Sequence, residues 1–419
     1  MVPPRIRTRA SADAKAMFAP CAGEFLIDPN VCFLNHGSFG ATPKRVYEAQ
    51  RQLQAQMERE PIRWFVEDLE PALDQARARM AAFVGCPAQD FSFVTNATAG
   101  VNAVVRSLKF QPGDELLTSS QEYNACNNVL RWAAKQWGGK VVSVDLPWPV
   151  ASEDEVVAAV LAGVTPRTRL AMVSHVTSPT AMILPVQRIV RELAQRGVDT
   201  LVDGAHAPGF LPLNVADLGC AYYTGNFHKW LCAPKGSAFL YVRPDRQAQI
   251  VPTIISHGAN ADRADRSRLR LEFDYIGSMD YTAWLVTPGC MDLVAELAGG
   301  GGWPEVMRAN RAMALRVRGM LQERFGVGPL APESMIGSMA AVRLPDRHEA
   351  EGPRPSTYAD PLQDRLVCRW GVQVPIIPFP AAPRRHVRVS CTVYNTWSQY
   401  EYLADALAAE IASPQGCPD

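Results

Sequence analysis

The chain has 419 residues, 47% apolar and 20% charged, with a formal net charge of zero. That length suggests two or three domains, and the composition is ordinary for a soluble globular protein. Balanced charge without single-sign runs argues against nucleic acid or an acidic membrane surface as partner, and no apolar run is long enough to span a bilayer.

Met1–Pro20 carries Arg5, Arg7 and Arg9 but no apolar centre, so it reads as a floppy extension rather than a secretory signal. From about residue 80, β-rich runs alternate with helix-like stretches. The runs are Phe91–Thr95, Glu115–Thr118, Lys140–Val144, Leu170–His175, Thr200–Asp203, Ala221–Thr224 and Ala238–Val242. Helical spacing fills Asn128–Gln136, Glu153–Val160 and Val186–Arg196 between them. Alternation of this kind predicts an α/β domain with a mostly parallel sheet, whose ligands bind beyond the carboxyl ends of the strands.

Beyond Gly299–Gly302 the signals change to a helix at Glu305–Phe325, strands at Met339–Leu344, Gly371–Pro375 and His386–Ser390, and a helix near Ser398–Ile411. This predicts a smaller α+β domain, with Arg347–Ser356 as a surface loop. The expected division is an extension over 1–30, a large domain over 31–285 and a small C-terminal domain over 286–419.

Ten scattered cysteines without a CxxC pair read as reduced, mostly buried thiols of a cytoplasmic protein. The seven histidines show no metal spacing such as HExxH. Neither a GxGxxG after a strand nor a GxSxG is present, which disfavours a dehydrogenase and a serine hydrolase.

Polar clusters follow the strands where chemistry is expected. They are Asn96-Ala97-Thr98, Glu122-Tyr123-Asn124, Thr177-Ser178, Asp203-Gly204-Ala205-His206 and Gly225-Asn226-Phe227-His228-Lys229. Only seven lysines occur, and Lys229 stands in apolar company between Phe227-His228 and Trp230-Leu231-Cys232. Alone, it reads first as a lysine reaching the surface from a strand end. Schiff-base chemistry needs an amine that burial can deprotonate. A pyridine ring acting as electron sink needs a carboxylate at its nitrogen, and Asp203 ends a very apolar strand. As alternatives, Asp203 and Asn96 read as helix caps, and Tyr123 as packing.

Val202-Asp203-Gly204-Ala205-His206-Ala207-Pro208, followed by Tyr223–Gly236, resembles the class V aminotransferases of fold type I, and most nearly their isopenicillin N epimerase-like branch. Phe33–Gly40, Glu122–Ala125, Ser174–Thr180 and Arg388–Thr396 extend the similarity in the same order, over roughly residues 30 to 410. The resemblance implies a pyridoxal 5'-phosphate (PLP) enzyme with a large, mostly parallel seven-stranded sheet and a smaller C-terminal domain. Lys229 would be the Schiff-base lysine, Asp203 the partner of the ring nitrogen, and His206 and Ser178 neighbours of the ring hydroxyl. Tyr123 would stack on the ring. Ala97, Thr98, Asn226 and His228 would hold the phosphate, with Ser278 reaching the phosphate of a neighbouring subunit in a homodimer. Arg388 would clamp the carboxylate of an amino-acid substrate, with Asn35 and His36 in the loop on the substrate side.

Epimerisation, β-lysis of a cysteine-derived substrate and transamination all start from the same labilised Cα–H. An epimerase needs a proton donor opposite Lys229, for which Tyr123, His36 and His257 are candidates. A desulfurase needs a cysteine shortly before Arg388, and Ile376–His386 contains none.

Overall fold

The structure, a computed structural model, describes residues 20–347 and 360–412. The expected extension falls largely outside them, as does the surface loop beyond Arg347. Within the described part, the stretch leading into β1 (Cys32–Phe33) is anchored at Phe25 and Val31. Phe25 is buried, with its ring centroid 4.8 Å from that of Tyr394.

All seven runs form strands within two residues of their expected bounds: β2 (Phe91–Val94), β3 (Glu115–Ser119), β4 (Lys140–Val144), β5 (Thr168–Ser174), β6 (Asp199–Asp203), β7 (Tyr222–Asn226) and β8 (Ala238–Val242). They make one sheet in the order β2-β8-β7-β6-β5-β3-β4, parallel except where β8 runs against β2 and β7. Period-2 alternation divides the apolar residues between two cores. Leu116, Leu170, Met172 and Leu201 join one cluster with the helices Ala97–Ser107 and Asn124–Trp137. Leu117, Ala171, Val173 and Val202 join the other, with the helices Leu69–Val84 and Val186–Gln195. Burial on both faces is why these strands read as continuous apolar runs. Each leucine, valine or methionine among them contributes about 1.5–3 kcal/mol.

The C-terminal part carries β9 (Met339–Leu344), β10 (Val372–Gln373), β11 (Ile376–Pro378) and β12 (Arg385–Ser390). β11, β12 and β9 form an antiparallel sheet backed by the helix Gly302–Phe325. The strand expected over Gly371–Pro375 is confined to β10, and β11 beyond it was not foreseen. β10 pairs in parallel with β1, Cys32 opposite Val372, and the chain resumes as β11 after Pro375, which has no N–H to give to a ladder. β1 thus ties the segment before the large sheet to the C-terminal part.

The expectation of free thiols holds for eight of the nine cysteines among the described residues. Cys368, half-buried on the helix Pro361–Trp370, is disulfide-bonded, while the other eight cysteines among the described residues are free. Scattered cysteines without a spacing motif cannot reveal which of them the fold brings together. Among the described residues, no helix is long and apolar enough to cross a membrane, and no cluster of ligands could hold a metal ion.

Candidate active site

The carboxyl ends of β2, β3, β5, β6 and β7 surround a cavity of about 480 Å³. Its walls include Ala97, Thr98, Tyr123, Ser178, Asp203, His206, Asn226, His228 and Lys229, nine of the residues singled out from sequence. Ser38, Phe39, Ser174 and Lys235 complete much of the rest. Asn35, His36, Arg388 and Ser278 do not line it.

Lys229 follows β7 in the connection to β8. Its amine is open to the cavity but otherwise surrounded by protein, and lies 3.2 Å from His206 Nε2. Burial, reinforced by the Arg388 charge, lowers the Lys229 pKa to about 7. His206 is kept neutral, its pKa well below the usual value, chiefly by burial. The Trp230 indole N–H donates to His206 Nδ1 across 3.2 Å. An indole N–H can only donate, so His206 Nδ1 is bare and the ring proton sits on Nε2. That proton points to Lys229, whose neutral amine has a lone pair to receive it.

Asp203 ends β6, buried, and burial raises its pKa. Its Oδ1 accepts the Ala205 N–H at 2.9 Å, and its Oδ2 accepts the Cys126 thiol at 3.3 Å. Behind it, Glu122 receives the Ser174 N–H at 2.9 Å, the Ser174 hydroxyl at 2.5 Å and the Ser119 hydroxyl at 3.1 Å, pinning the ends of β3 and β5 together. Burial raises the Glu122 pKa to about 7.

At the start of the helix Ala97–Ser107, Asn96 caps the Ala99 N–H at 2.8 Å, and Asn226 Oδ1 accepts the Ala97 N–H at 2.8 Å. An anion arriving at this helix end would take over the Ala97 N–H from Asn226. Tyr123, 49% exposed, stands at the start of the next helix on the cavity wall.

Arg388, on β12, lies one layer back, against two wall residues. It donates to the Ser178 carbonyl and, at 3.1 Å, to the Ser38 hydroxyl, which in turn donates to Asn35 Oδ1 at 2.6 Å. The guanidinium is buried, its Nε has no hydrogen-bond partner, and no carboxylate pairs with it among the described residues. Burial lowers its pKa to about 10, which leaves it charged at neutral pH. Such a cation is costly unless an anion joins it. Two residues away on the same strand face, His386 holds the adjacent Pro179 carbonyl at 2.7 Å.

Three expectations meet a different geometry. His36 is fully enclosed rather than on the substrate side, bonded to the Tyr394 hydroxyl at 2.6 Å and to the Lys229 carbonyl at 2.9 Å. It orients the Lys229 backbone, and burial lowers its pKa to about 3. The exposed His257 lies against Tyr275, ring centroids 5.8 Å apart, away from the cavity. Ser278 is exposed, its hydroxyl 3.1 Å from that of Tyr275, also outside this cavity. Of the three candidate proton donors, only Tyr123 reaches the wall. Cys126 was not foreseen as a neighbour of the site, and neither Trp230 nor Glu122, although both stand in motifs the sequence singled out, was given a role there. Only the position of Cys126 and Glu122 around Tyr123, just beyond β3, hinted at them.

Gly40 closes the loop that begins at Asn35. It has φ +70° and ψ 167°, a conformation essentially reserved for glycine, and a Cβ there would lie 2.2 Å from the His228 carbonyl oxygen and 2.9 Å from that of Lys229. Gly40→Ala is therefore expected to destabilise the protein by about 3 kcal/mol through strain and overpacking, and to displace Lys229. Thermal unfolding together with cofactor content checks this; an unshifted melting point with full cofactor loading would contradict it.

A buried carboxylate without a bonded cation among the described residues, a buried amine whose pKa is lowered to about 7, and a helix start with adjacent amide and imidazole groups fit PLP. Together with the sheet order they define a fold type I PLP enzyme. Residues 37–269 match the family model "Aminotransferase class-V", and the chain belongs to that family. It is 34% identical over 410 residues to an isopenicillin N epimerase of Streptomyces clavuligerus, covering 94% of this chain and 99% of the relative. It is 32% identical over 449 residues to a putative L-cysteine desulfhydrase of Oryza sativa, covering 98% of this chain and 91% of the relative. Among solved structures, a variant of the cystine C–S lyase C-DES with glycine covalently linked to its PLP cofactor superposes with a TM-score of 0.74. The two share 20% sequence identity over 90% of this chain and 96% of that one. The chain is thus a PLP-dependent enzyme.

Proposed function

We propose that this enzyme epimerises an amino acid or amino-acid-derived substrate at Cα, with an activity of the isopenicillin N epimerase type. The observation that carries the reading is the cavity itself, with the Lys229 amine, its pKa lowered to about 7, and the Tyr123 phenol both on its wall. PLP, when bound, acidifies the Cα–H of an amino acid joined to it. Lys229 then takes the α-proton, and Tyr123 returns one from the other side. His206, fixed by Trp230, holds its Nε2 proton toward the lysine. Asp203 meets the ring nitrogen, while Ser178 and His206 serve the ring hydroxyl. Ala97, Thr98, Asn226 and His228 hold the phosphate. Arg388, steadied by Ser38 and Asn35, receives the substrate carboxylate. Relatives named isopenicillin N epimerase, 34% and 36% identical over nine-tenths or more of both chains, support the same reading.

Cysteine desulfurase chemistry is disfavoured. The hairpin between β11 and β12 holds Phe379, packed 6.0 Å from Trp148 and 6.2 Å from His386, and no thiol. The second reading, a C–S β-lyase, rests on the desulfhydrase relatives and requires no donor opposite Lys229. Incubation with amino acids in deuterated water, followed by NMR, separates the two. Deuterium at Cα with altered chirality supports epimerisation. Pyruvate with ammonia would replace it by β-lysis, and a keto acid by transamination.

The active unit we propose is a cytoplasmic homodimer whose two sites are shared, the partner copy's Ser278 completing the phosphate site. The loop residues Ile254 and Ile255 and the cavity-mouth Phe39 are exposed apolar groups such a dimer would cover. Mixing inactive Lys229→Ala with inactive Ser278→Ala should regenerate about a quarter of the sites if subunits reassort statistically and pair in this way. No recovery after exchange would refute the shared site.

The lowered Lys229 pKa predicts how the cofactor is captured. Only the neutral amine attacks an aldehyde, so capture by cofactor-free protein should be fastest above pH 7, the pKa being about 7. Below that, the rate should fall about tenfold per pH unit. Stopped-flow absorbance from pH 5 to 9 reads this directly. A midpoint near the ordinary lysine pKa would contradict the burial argument.

A further inference from the structure

Cys126 is the one side chain that donates to Asp203 among the described residues. It projects from the helix Asn124–Trp137, is 1% exposed, and brings its Sγ within 3.3 Å of Asp203 Oδ2. The other carboxylate oxygen takes the Ala205 N–H. Burial and the adjacent Asp203 and Glu122 carboxylates push the Cys126 thiol far up its scale. It therefore stays protonated at every working pH and acts toward Asp203 only as a donor. The thiol is too enclosed for oxidation or alkylation, and no metal cluster includes it.

We infer that Cys126 is a positioning residue for the cofactor's ring nitrogen, acting through Asp203; this rests on the reading of Asp203 as the partner of that nitrogen. The proton between a pyridine nitrogen and a carboxylate resides on the more basic of the two. Each donor to the carboxylate makes it less basic. With Ala205 on one oxygen and Cys126 on the other, Asp203 leaves the proton on the ring. Without the thiol, the carboxylate draws it away, and the ring becomes a weaker electron sink. A residue present only to fill space would need no donor, and a small apolar side chain would serve.

The test uses holoenzyme reconstituted with PLP labelled with ¹⁵N at the ring nitrogen and observed by NMR. Wild type should show the shift of a protonated ring. Cys126→Ala should move the resonance toward the neutral-pyridine position and weaken cofactor retention about fivefold, the loss of one weak thiol hydrogen bond. Cys126→Ser, an oxygen donor of similar size, should restore both. Cys126→Val provides a donor-free variant that fills the space should the alanine variant fail to fold. Wild-type shifts in both the donor-free and serine variants, with Asp203→Asn still collapsing the signal to neutral pyridine, would overturn the role of Cys126 alone. An unchanged shift in Asp203→Asn would overturn the underlying reading of Asp203.

Discussion

Lys229→Ala is expected to reduce turnover to background, a loss of about 10⁴-fold or more, while leaving the protein folded and able to bind PLP. Removal of the Cα proton needs a base at that position, and a positioned base contributes about 10²–10⁴ on its own. Loss of covalent attachment of the cofactor adds to it. The rest of the cavity does not depend on the amine. Trp230 still donates to His206, Asn226 still meets the helix start, and Asp203 keeps its two donors. Borohydride should then fail to fix the cofactor to the protein, in contrast to wild type, and mass spectrometry of the digested holoenzyme reads this. A small primary amine added to the variant should restore part of the activity, because truncation at Cβ opens space beside His206. Recovery should rise with pH as the added amine loses its proton. Substantial unaided turnover in Lys229→Ala would remove it from the chemistry.

How far the sequence revealed this arrangement depended on the distance over which each contact acts. The large sheet was legible because burial on both faces turns each strand into a local apolar run. β6 shows it in Thr200-Leu201-Val202, and the polar residue where such a run stops, Asp203, falls at the cavity edge. Lys229 was legible from its neighbours along the chain. His36 was not, since its partners Tyr394 and the Lys229 carbonyl are 358 and 193 residues away. No local pattern distinguishes a histidine that orients a backbone from one that meets a substrate. The relay from Arg388 through Ser38 to Asn35 spans β12 and the loop after β1 for the same reason. Cys126 lay three residues from Tyr123, yet a cysteine on the buried face of a helix looks like packing until the carboxylate it touches is seen. The short β1 and β11 escaped because two or three residues carry no periodicity; their partners β10 and β12 define them.

Arg388→Ala should raise KM for the amino-acid substrate about a hundredfold and change kcat far less. The guanidinium is charged at every assay pH below 9, since burial lowers its pKa only to about 10. Its present partners, the Ser178 carbonyl and the Ser38 hydroxyl, do not neutralise it. A carboxylate would supply the missing charge, and removing such a charge-assisted interaction costs about 3 kcal/mol, equivalent to roughly 150-fold in affinity. A contact made equally to substrate and to transition state appears in KM rather than in kcat. Arg388→Lys should rescue little, because an ammonium cannot span Ser178, Ser38 and a carboxylate in one plane. Ser38→Ala should give a smaller rise, because the guanidinium keeps its charge and loses one orienting acceptor. The stability readout runs the opposite way. Deleting a buried cation that lacks a counter-ion should leave the unfolding temperature unchanged or higher, so that folding and substrate binding separate in this one variant. A variant with lowered stability and an unaltered KM would show that Arg388 serves to dock β12 on the Ser178–Pro179 loop and does not receive the carboxylate.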